Sequence, residues 1–331
     1  MPSLKSRLVA TYLRHTRKKA FRSAEGLNAW IARARTFETH RPPVAVAGQV
    51  AFSAHEVAGF PVYEVRHLGG VRSDQRILYF HGGAYVFEIT PFHWRLIAEI
   101  AERTGMQVTV PIYPVAPEHR FDDIFAMARA TYRKVLETVP AGRIVFVGDS
   151  AGGNMAVVLA MMAAREGLPL PARMALISPG LDMTLENPAL VEAASADPWL
   201  DIAGGLEALR HYAPGMDPAD WRISPINGDL SLLPPMLILA GGSDMLTLNT
   251  IRFAEKAVLA GADIELEIEP GMVHVWPLIE MPEAIVARRR LVSWLTGRPA
   301  EAPASGLALR LPAWLRRISP RRRRPSSASP S

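Results

Sequence analysis

A serine that attacks a carbonyl needs a base to accept its proton, an acid to orient that base, and N–H donors for the charge that forms on the carbonyl oxygen. This sequence offers residues of each type in a workable order. Gly148-Asp149-Ser150-Ala151-Gly152 directly follows the apolar run Ile144–Val147 and directly precedes a helical pattern that begins at Ala151. A G-x-S-x-G pentapeptide exposes its serine in just such a strand–turn–helix setting. The two glycines keep side chains out of a turn where backbone packs closely. The helix N-terminus favours developing negative charge. Without those flanks Ser150 would read as a helix cap after a tight turn; with them it reads as a nucleophile.

Where such an elbow carries a triad, the order along the chain is serine, acid, histidine. Of nine histidines only His211 and His274 follow Ser150. His211 lies in an irregular stretch, a poor place for a rigidly aimed base. His274 comes just beyond the last strand candidate, after Glu269-Pro270-Gly271-Met272-Val273, so it is the expected base. The acid should come from the end of the preceding strand. Met236–Ala240 leads through Gly241-Gly242-Ser243 into Asp244, which has the right order and place. Asp263 would start the next strand at the opposite sheet end, and Glu265, Glu267 and Glu269 alternate as a solvated face. Asp149 is expected to hold the elbow through hydrogen bonds.

His81-Gly82-Gly83-Ala84 follows the apolar run Ile77–Phe80. Glycines there let backbone N–H groups approach a developing oxyanion, and the residue after the nucleophile supplies another donor. The expected oxyanion donors are Gly82, Gly83 and Ala151. His81 comes too early in the chain to be the base and is expected to be structural.

These residues need a frame. Strand candidates are Val62–Val65, Ile77–Phe80, Gln107–Val110, Ile144–Val147, Met174–Ile177, Met236–Ala240 and Ile264–Ile268. Helical patterns cover 93–104, 122–138, 151–166, 249–261 and 283–296. The alternation predicts an α/β fold with a mostly parallel central sheet covered by helices on both faces. Ahead of it, residues 1–41 carry Leu4, Leu8 and Tyr12, then Phe21, Ala24, Leu27 and Ile31, at helical spacing. They predict two helices joined near Gly26. Residues 42–297 form the expected catalytic domain. Between about 185 and 233, where prolines and tryptophans occur without a clear strand, the chain is expected to leave the sheet and cover the site.

The net charge of +5 sits at the chain ends. Residues 1–41 hold ten Lys/Arg against two acids, and 301–331 hold seven Arg against one, leaving about −9 for residues 42–300. An acidic body argues against nucleic acid as a partner. There is no cysteine, which excludes disulfides and thiol chemistry and suits a reducing compartment. Basic residues interrupt every apolar stretch near the N-terminus, and the longest apolar run, Met155–Ala164, is about half a bilayer span. The expectation is a soluble, cytoplasmic protein. Residues 298–331, rich in Pro, Ser, Ala and Arg, are expected to be a disordered tail; weak contact with an anionic membrane is the alternative.

The motifs resemble the hormone-sensitive-lipase-like esterases of the α/β-hydrolase fold. The likeness runs over roughly residues 55–297, through His81-Gly82-Gly83, Tyr113-Pro114-Val115-Ala116-Pro117-Glu118-His119 and Gly148-Asp149-Ser150-Ala151-Gly152-Gly153-Asn154. It continues through Ser178-Pro179-Gly180-Leu181-Asp182, Ser224-Pro225, Leu233-Pro234-Pro235 and Gly271-Met272 before His274. It implies a helical cap, no metal, no cofactor, a small ester substrate with a short to medium acyl chain, and acyl transfer through a serine ester. Three departures bear on substrate. Ala84 replaces a third glycine, the acid motif ends in Asn249 without its accessory acids, and Val275-Trp276 follows the base. Ala84 and Trp276 are expected to narrow the pocket. Asp182 matches a position read as structural, with catalytic support as the alternative. An amidase or arylformamidase would use the same machinery, and retention of His274 argues against a non-catalytic receptor. The sequence leaves the oligomeric state open.

Overall fold

The computed structural model describes residues 1–297; the basic tail, with the membrane contact considered for it, lies outside the described residues. Strands β1 (Val50–Val57), β2 (Phe60–His67), β3 (Arg76–Phe80), β4 (Gln107–Pro111), β5 (Ile144–Asp149), β6 (Arg173–Ile177), β7 (Met236–Gly241) and β8 (Ile264–Glu269) form one sheet. Their order is β1-β2-β4-β3-β5-β6-β7-β8. β2 runs antiparallel to β1 and β4, and every pairing from β4 to β8 is parallel.

The helices are α1 (Leu4–His15), α2 (Arg17–Phe21), α3 (Ala24–Ala34), α4 (Val44–Ala47), α5 (Pro91–Thr104), α6 (Phe121–Leu136), α7 (Ala151–Arg165), α8 (Ala189–Ala196), α9 (Ile202–Tyr212), α10 (Leu246–Leu259) and α11 (Pro282–Thr296). Successive strand side chains point to opposite faces, so each central strand feeds two cores. Leu78, Phe80, Ile144, Phe146 and Ile238 join one with residues of α6, α7 and α10. Ile77, Tyr79, Val145, Val147 and Leu237 join the other with α5 and α11. Burial on both faces is why these strands read as continuous apolar runs. The expected mostly parallel sheet, covered on both sides, is present.

Three features differ from the sequence reading. β1 carries no alternation because Ser53 to Glu56 are exposed and it pairs only with β2. The first 41 residues form three helices, not two joined at Gly26: the breaks fall at Thr16 and at Arg22–Ser23, and Ser23 Oγ caps α3 by accepting the Gly26 N–H at 3.0 Å. The stripe that marks α1 points to solvent, with Leu4, Leu8 and Tyr12 71%, 62% and 65% exposed. Between β6 and β7 the described chain makes no strand, as expected, but α8 and α9 form there and α9 packs on α2 and α3.

Candidate active site

Ser150 stands between the end of β5 and the start of α7 with φ 52° and ψ −117°, a strained conformation for a residue with a side chain. The turn survives because its neighbours are small. A side chain at Gly152 would run into the carbonyl oxygens of Phe80 and His81, so β3 can lie against the first turn of α7 only over bare backbone. Gly82 is similarly confined: a Cβ there would stand 3.0 Å from Ser150 Cβ. The loop after β3 is thereby pressed against the elbow. The N–H groups of Gly82, Gly83 and Ala151 have no protein acceptor among the described residues.

His274 follows β8 on a loop and donates from Nδ1 to Asp244 Oδ2 at 2.8 Å, while its Nε2 lies 2.9 Å from Ser150 Oγ. Burial alone would lower the His274 pKa, but the Asp244 carboxylate, its hydrogen bond and the more distant Asp197 and Asp149 raise it above the usual value. Asp244 is anchored at the end of β7, where its Oδ1 also accepts the Leu246 N–H at 3.0 Å. The structure thus brings Ser150, His274 and Asp244 into one hydrogen-bonded line.

Asp149 turns away from this line. It accepts from Tyr79 Oη at 2.7 Å and pairs with His93 Nε2 at 3.1 Å. Burial pushes its carboxyl up, but His93, Tyr79 and His81 together hold it below the usual range. His81 is fully buried, stacked on Tyr113 at 4.2 Å, with Nδ1 2.7 Å from the Gly82 carbonyl oxygen. Burial, with His93 alongside, pushes its pKa down to about 3, so a neutral ring braces the glycine loop. Asp182 does not reach His274: its carboxylate takes Thr184 Oγ1 at 2.6 Å and Arg252 at 3.0 Å. Its carbonyl oxygen accepts from Asn249 at 3.1 Å. His211, on α9, is occupied 2.6 Å from Asn28 Oδ1.

A cleft enclosing about 660 Å³ of free space, its mouth included, opens at Ser150. Ala84 lines it, with apolar walls from Phe21, Met183, Leu185, Leu209 and Ile223. Trp276 does not, which corrects the expectation for that residue. Val275 takes φ 47° and its N–H binds Ser178 Oγ at 3.1 Å. The chain turns there, and Trp276 is buried in the core on the α5 and α11 side.

Sequence reasoning also missed a segment of the excursion between β6 and β7. Asp197, fully buried, accepts the N–H groups of Trp199 at 2.6 Å and Leu200 at 3.0 Å through Oδ1, and that of Met245 at 2.9 Å through Oδ2. Burial first, then the neighbouring Asp244 charge, pushes its carboxyl up to about 6. Trp199 meets the His274 ring edge-to-face at 5.7 Å. Lys18 of α2, 1% exposed, donates to the carbonyls of Ala194 and Leu200 and pairs with Asp201 at 2.8 Å. Only the D-P-W cluster in an otherwise aperiodic stretch hinted at this segment. No group of three or more His, Asp and Glu suited to a metal occurs among the described residues.

A family model described as alpha/beta hydrolase fold matches residues 77–278. The chain is 30% identical over 251 residues to an esterase of Acinetobacter venetianus, covering 71% of this chain and 83% of that one. It is 36% identical over 208 residues to an acetyl-hydrolase of Streptomyces hygroscopicus, covering 62% and 69%. Among solved structures, a hormone-sensitive lipase from a metagenome library superposes with a TM-score of 0.76 at 28% identity, over 90% of this chain and 99% of that one. An esterase/lipase from an uncultured bacterium gives 0.77 at 27%, over 89% and 98%. With sheet, elbow and sequence in agreement, this chain belongs to the α/β-hydrolase family, and hormone-sensitive-lipase-like esterases are among its structural neighbours.

Proposed function

We propose that the chain hydrolyses small carboxylic esters through Ser150 as nucleophile, His274 as general base and acid, and Asp244 as the acid that orients His274. The observation that carries this reading is the hydrogen-bonded line from Asp244 through His274 to Ser150 at the floor of an apolar cleft. Ser150 Oγ attacks the ester carbonyl carbon while its proton passes to His274 Nε2. The carbonyl oxygen, now negative, takes hydrogen bonds from the N–H groups of Gly82, Gly83 and Ala151, each such donor being worth about 10²–10³ in turnover. His274 returns the proton to the departing alcohol as the C–O bond breaks, leaving an acyl-serine. Water then attacks the acyl carbon, giving its proton to His274, and the carboxylic acid leaves as Ser150 recovers its hydrogen.

Residues 1–41 and the excursion at about 185–233 act together as the cap, a reading supported by the packing of α2 and α3 on α9 and by Phe21 on the cleft wall. Ala84 on the same wall, with the apolar side chains around it, favours short to medium acyl chains. The test is kcat/KM across p-nitrophenyl esters from acetate to palmitate, with matched amides. The reading expects a maximum at short or medium length and a marked preference for ester. A maximum at palmitate would overturn the acyl assignment, and amides turned over as fast as esters would overturn the ester assignment.

A further inference from the structure

α1 is held with its sequence pattern turned outward. Its protein-facing side carries Ser6 and Leu13, both buried. Glu283 of α11 pins that side, accepting from Ser3 N–H at 2.6 Å, Ser3 Oγ at 3.0 Å and Ser6 Oγ at 3.2 Å. Pro2 packs over Gly271 on the loop that leads to His274. The helix therefore cannot roll its apolar residues inward without breaking a half-buried polar cluster.

The outward side is ordered by the helical repeat of 100° per residue. Leu4, Leu8 and Tyr12, at i, i+4 and i+8, form one exposed stripe, shared with Thr11 and His15. Lys5 lies on one flank of the stripe and Arg7 on the other, both exposed, with Arg14 beyond Arg7, also exposed but donating to the Ala196 carbonyl oxygen at 2.7 Å. The helix contains no acid. An apolar stripe rimmed by cations suits a helix lying in the plane of a lipid interface, with the apolar residues inserted and the long basic side chains reaching the headgroups.

We propose that this face of α1 docks the protein on an anionic lipid surface. Charge selects the occupant. The α1 face carries Lys5, Arg7 and Arg14 and no acid, so a second copy of the same face would meet like charge. The chain's own segment after Gly297 is also rich in arginine, so it has the same sign of charge as the face. Anionic headgroups complement the face, each nearby cation strengthening the contact. No described helix is long and apolar enough to cross a membrane, so the contact is peripheral. α1 leads directly into α2, whose Phe21 lines the cleft. Docking would hold the cleft close to esters that partition into lipid, a consequence that rests on the hydrolytic reading; the docking itself does not.

The experiment is cosedimentation of the full chain with vesicles of phosphatidylcholine alone and with phosphatidylglycerol mixed in. Binding is expected only with the anionic lipid, weakening as salt rises. The triple variant Leu4→Ser, Leu8→Ser, Tyr12→Ser should lower partitioning about tenfold or more and leave kcat/KM on a water-soluble ester unchanged. Lys5→Glu with Arg7→Glu should weaken binding similarly while keeping the stripe. Wild-type protein that stays in the supernatant at low salt overturns the proposal. So does a triple variant that binds as wild type does, since the contact then lies elsewhere. A wild-type dimer that becomes monomeric in the triple variant, without lipid binding, shows a self-association face and overturns it too.

Discussion

The Asp197 carboxylate accepts the Met245 backbone N–H at 2.9 Å, so a residue of the excursion between β6 and β7 holds the loop that carries Asp244. Both carboxylates are buried, and the pair sits behind His274 with Trp199 at the imidazole edge. A second acid so placed does two things. It fixes the position of the proposed triad acid, and its charge favours the imidazolium form of His274.

Asp197→Asn should separate these effects. The amide can still accept at one oxygen, but its NH₂ would face an N–H donor, leaving a buried donor unsatisfied at a cost of about 1–3 kcal/mol. A lower melting temperature and a reduced kcat are expected. With one negative charge gone, the His274 pKa should fall, so the acid limb of kcat/KM should move to lower pH. A residue that only stabilised the fold would leave that limb in place.

The proposed triad is tested by Ser150→Ala and His274→Ala, each expected to abolish fluorophosphonate labelling and nearly all ester turnover. Their losses should not add, because the members act as a unit. Asp244→Asn should cost on the order of 10⁴ in kcat, as in the template triad. Asp182→Asn should cost far less, because its partners are Thr184 and Arg252. If Asp182→Asn proves the more damaging, Asp244 is the wrong acid.

The pH profile follows from the direction of the His274 shift. Neutral imidazole must accept the Ser150 proton, and Asp244 stabilises the charged ring, so protonation occurs above the ordinary histidine value of 6.5. kcat/KM should therefore fall toward acid with a midpoint above 6.5. A midpoint below that value would mean that burial, which lowers the pKa, outweighs Asp244.

The central strands and the line from Asp244 to Ser150 were legible because they obey local rules. Apolar runs such as Ile144–Val147 announce strands buried on both faces, and Ser150 and Asp244 come just after two of them, β5 and β7, while His274 follows the edge strand β8, whose glutamates alternate with apolar residues. The misses have a common physical origin. Trp276 would follow His274 toward the cleft only if the chain continued straight, and the positive φ of Val275 redirects it. Lys18 sits in the basic run Arg17-Lys18-Lys19, which reads as a solvated face, yet it alone of the three is buried, against carbonyls that come from 176 and 182 residues away. β1 gives no signal because few of its residues are covered. Contacts between the N-terminal helices and the excursion are non-local, and no window of sequence contains both partners.

Lys18 supplies the last prediction. Its ammonium ties α2 to the 194–201 segment that carries Asp197 and Trp199, so the N-terminal helices hold the covering of His274 in place. Lys18→Met keeps the length of the side chain and removes its donors. The carbonyls of Ala194 and Leu200 lose a partner, while Asp201, 26% exposed at its side chain, can turn to water. The loss of stability should therefore fall nearer the cost of unsatisfied hydrogen bonds, about 1–3 kcal/mol, than that of a fully buried broken ion pair. Thermal unfolding measures it. If the tie also positions the triad, kcat/KM on a small ester should fall below the melting transition, and Lys18→Arg should rescue it poorly because a planar guanidinium would replace a compact ammonium that is only 1% exposed. A variant with lowered stability and unchanged kcat/KM would show that α2 holds the cap without influencing His274.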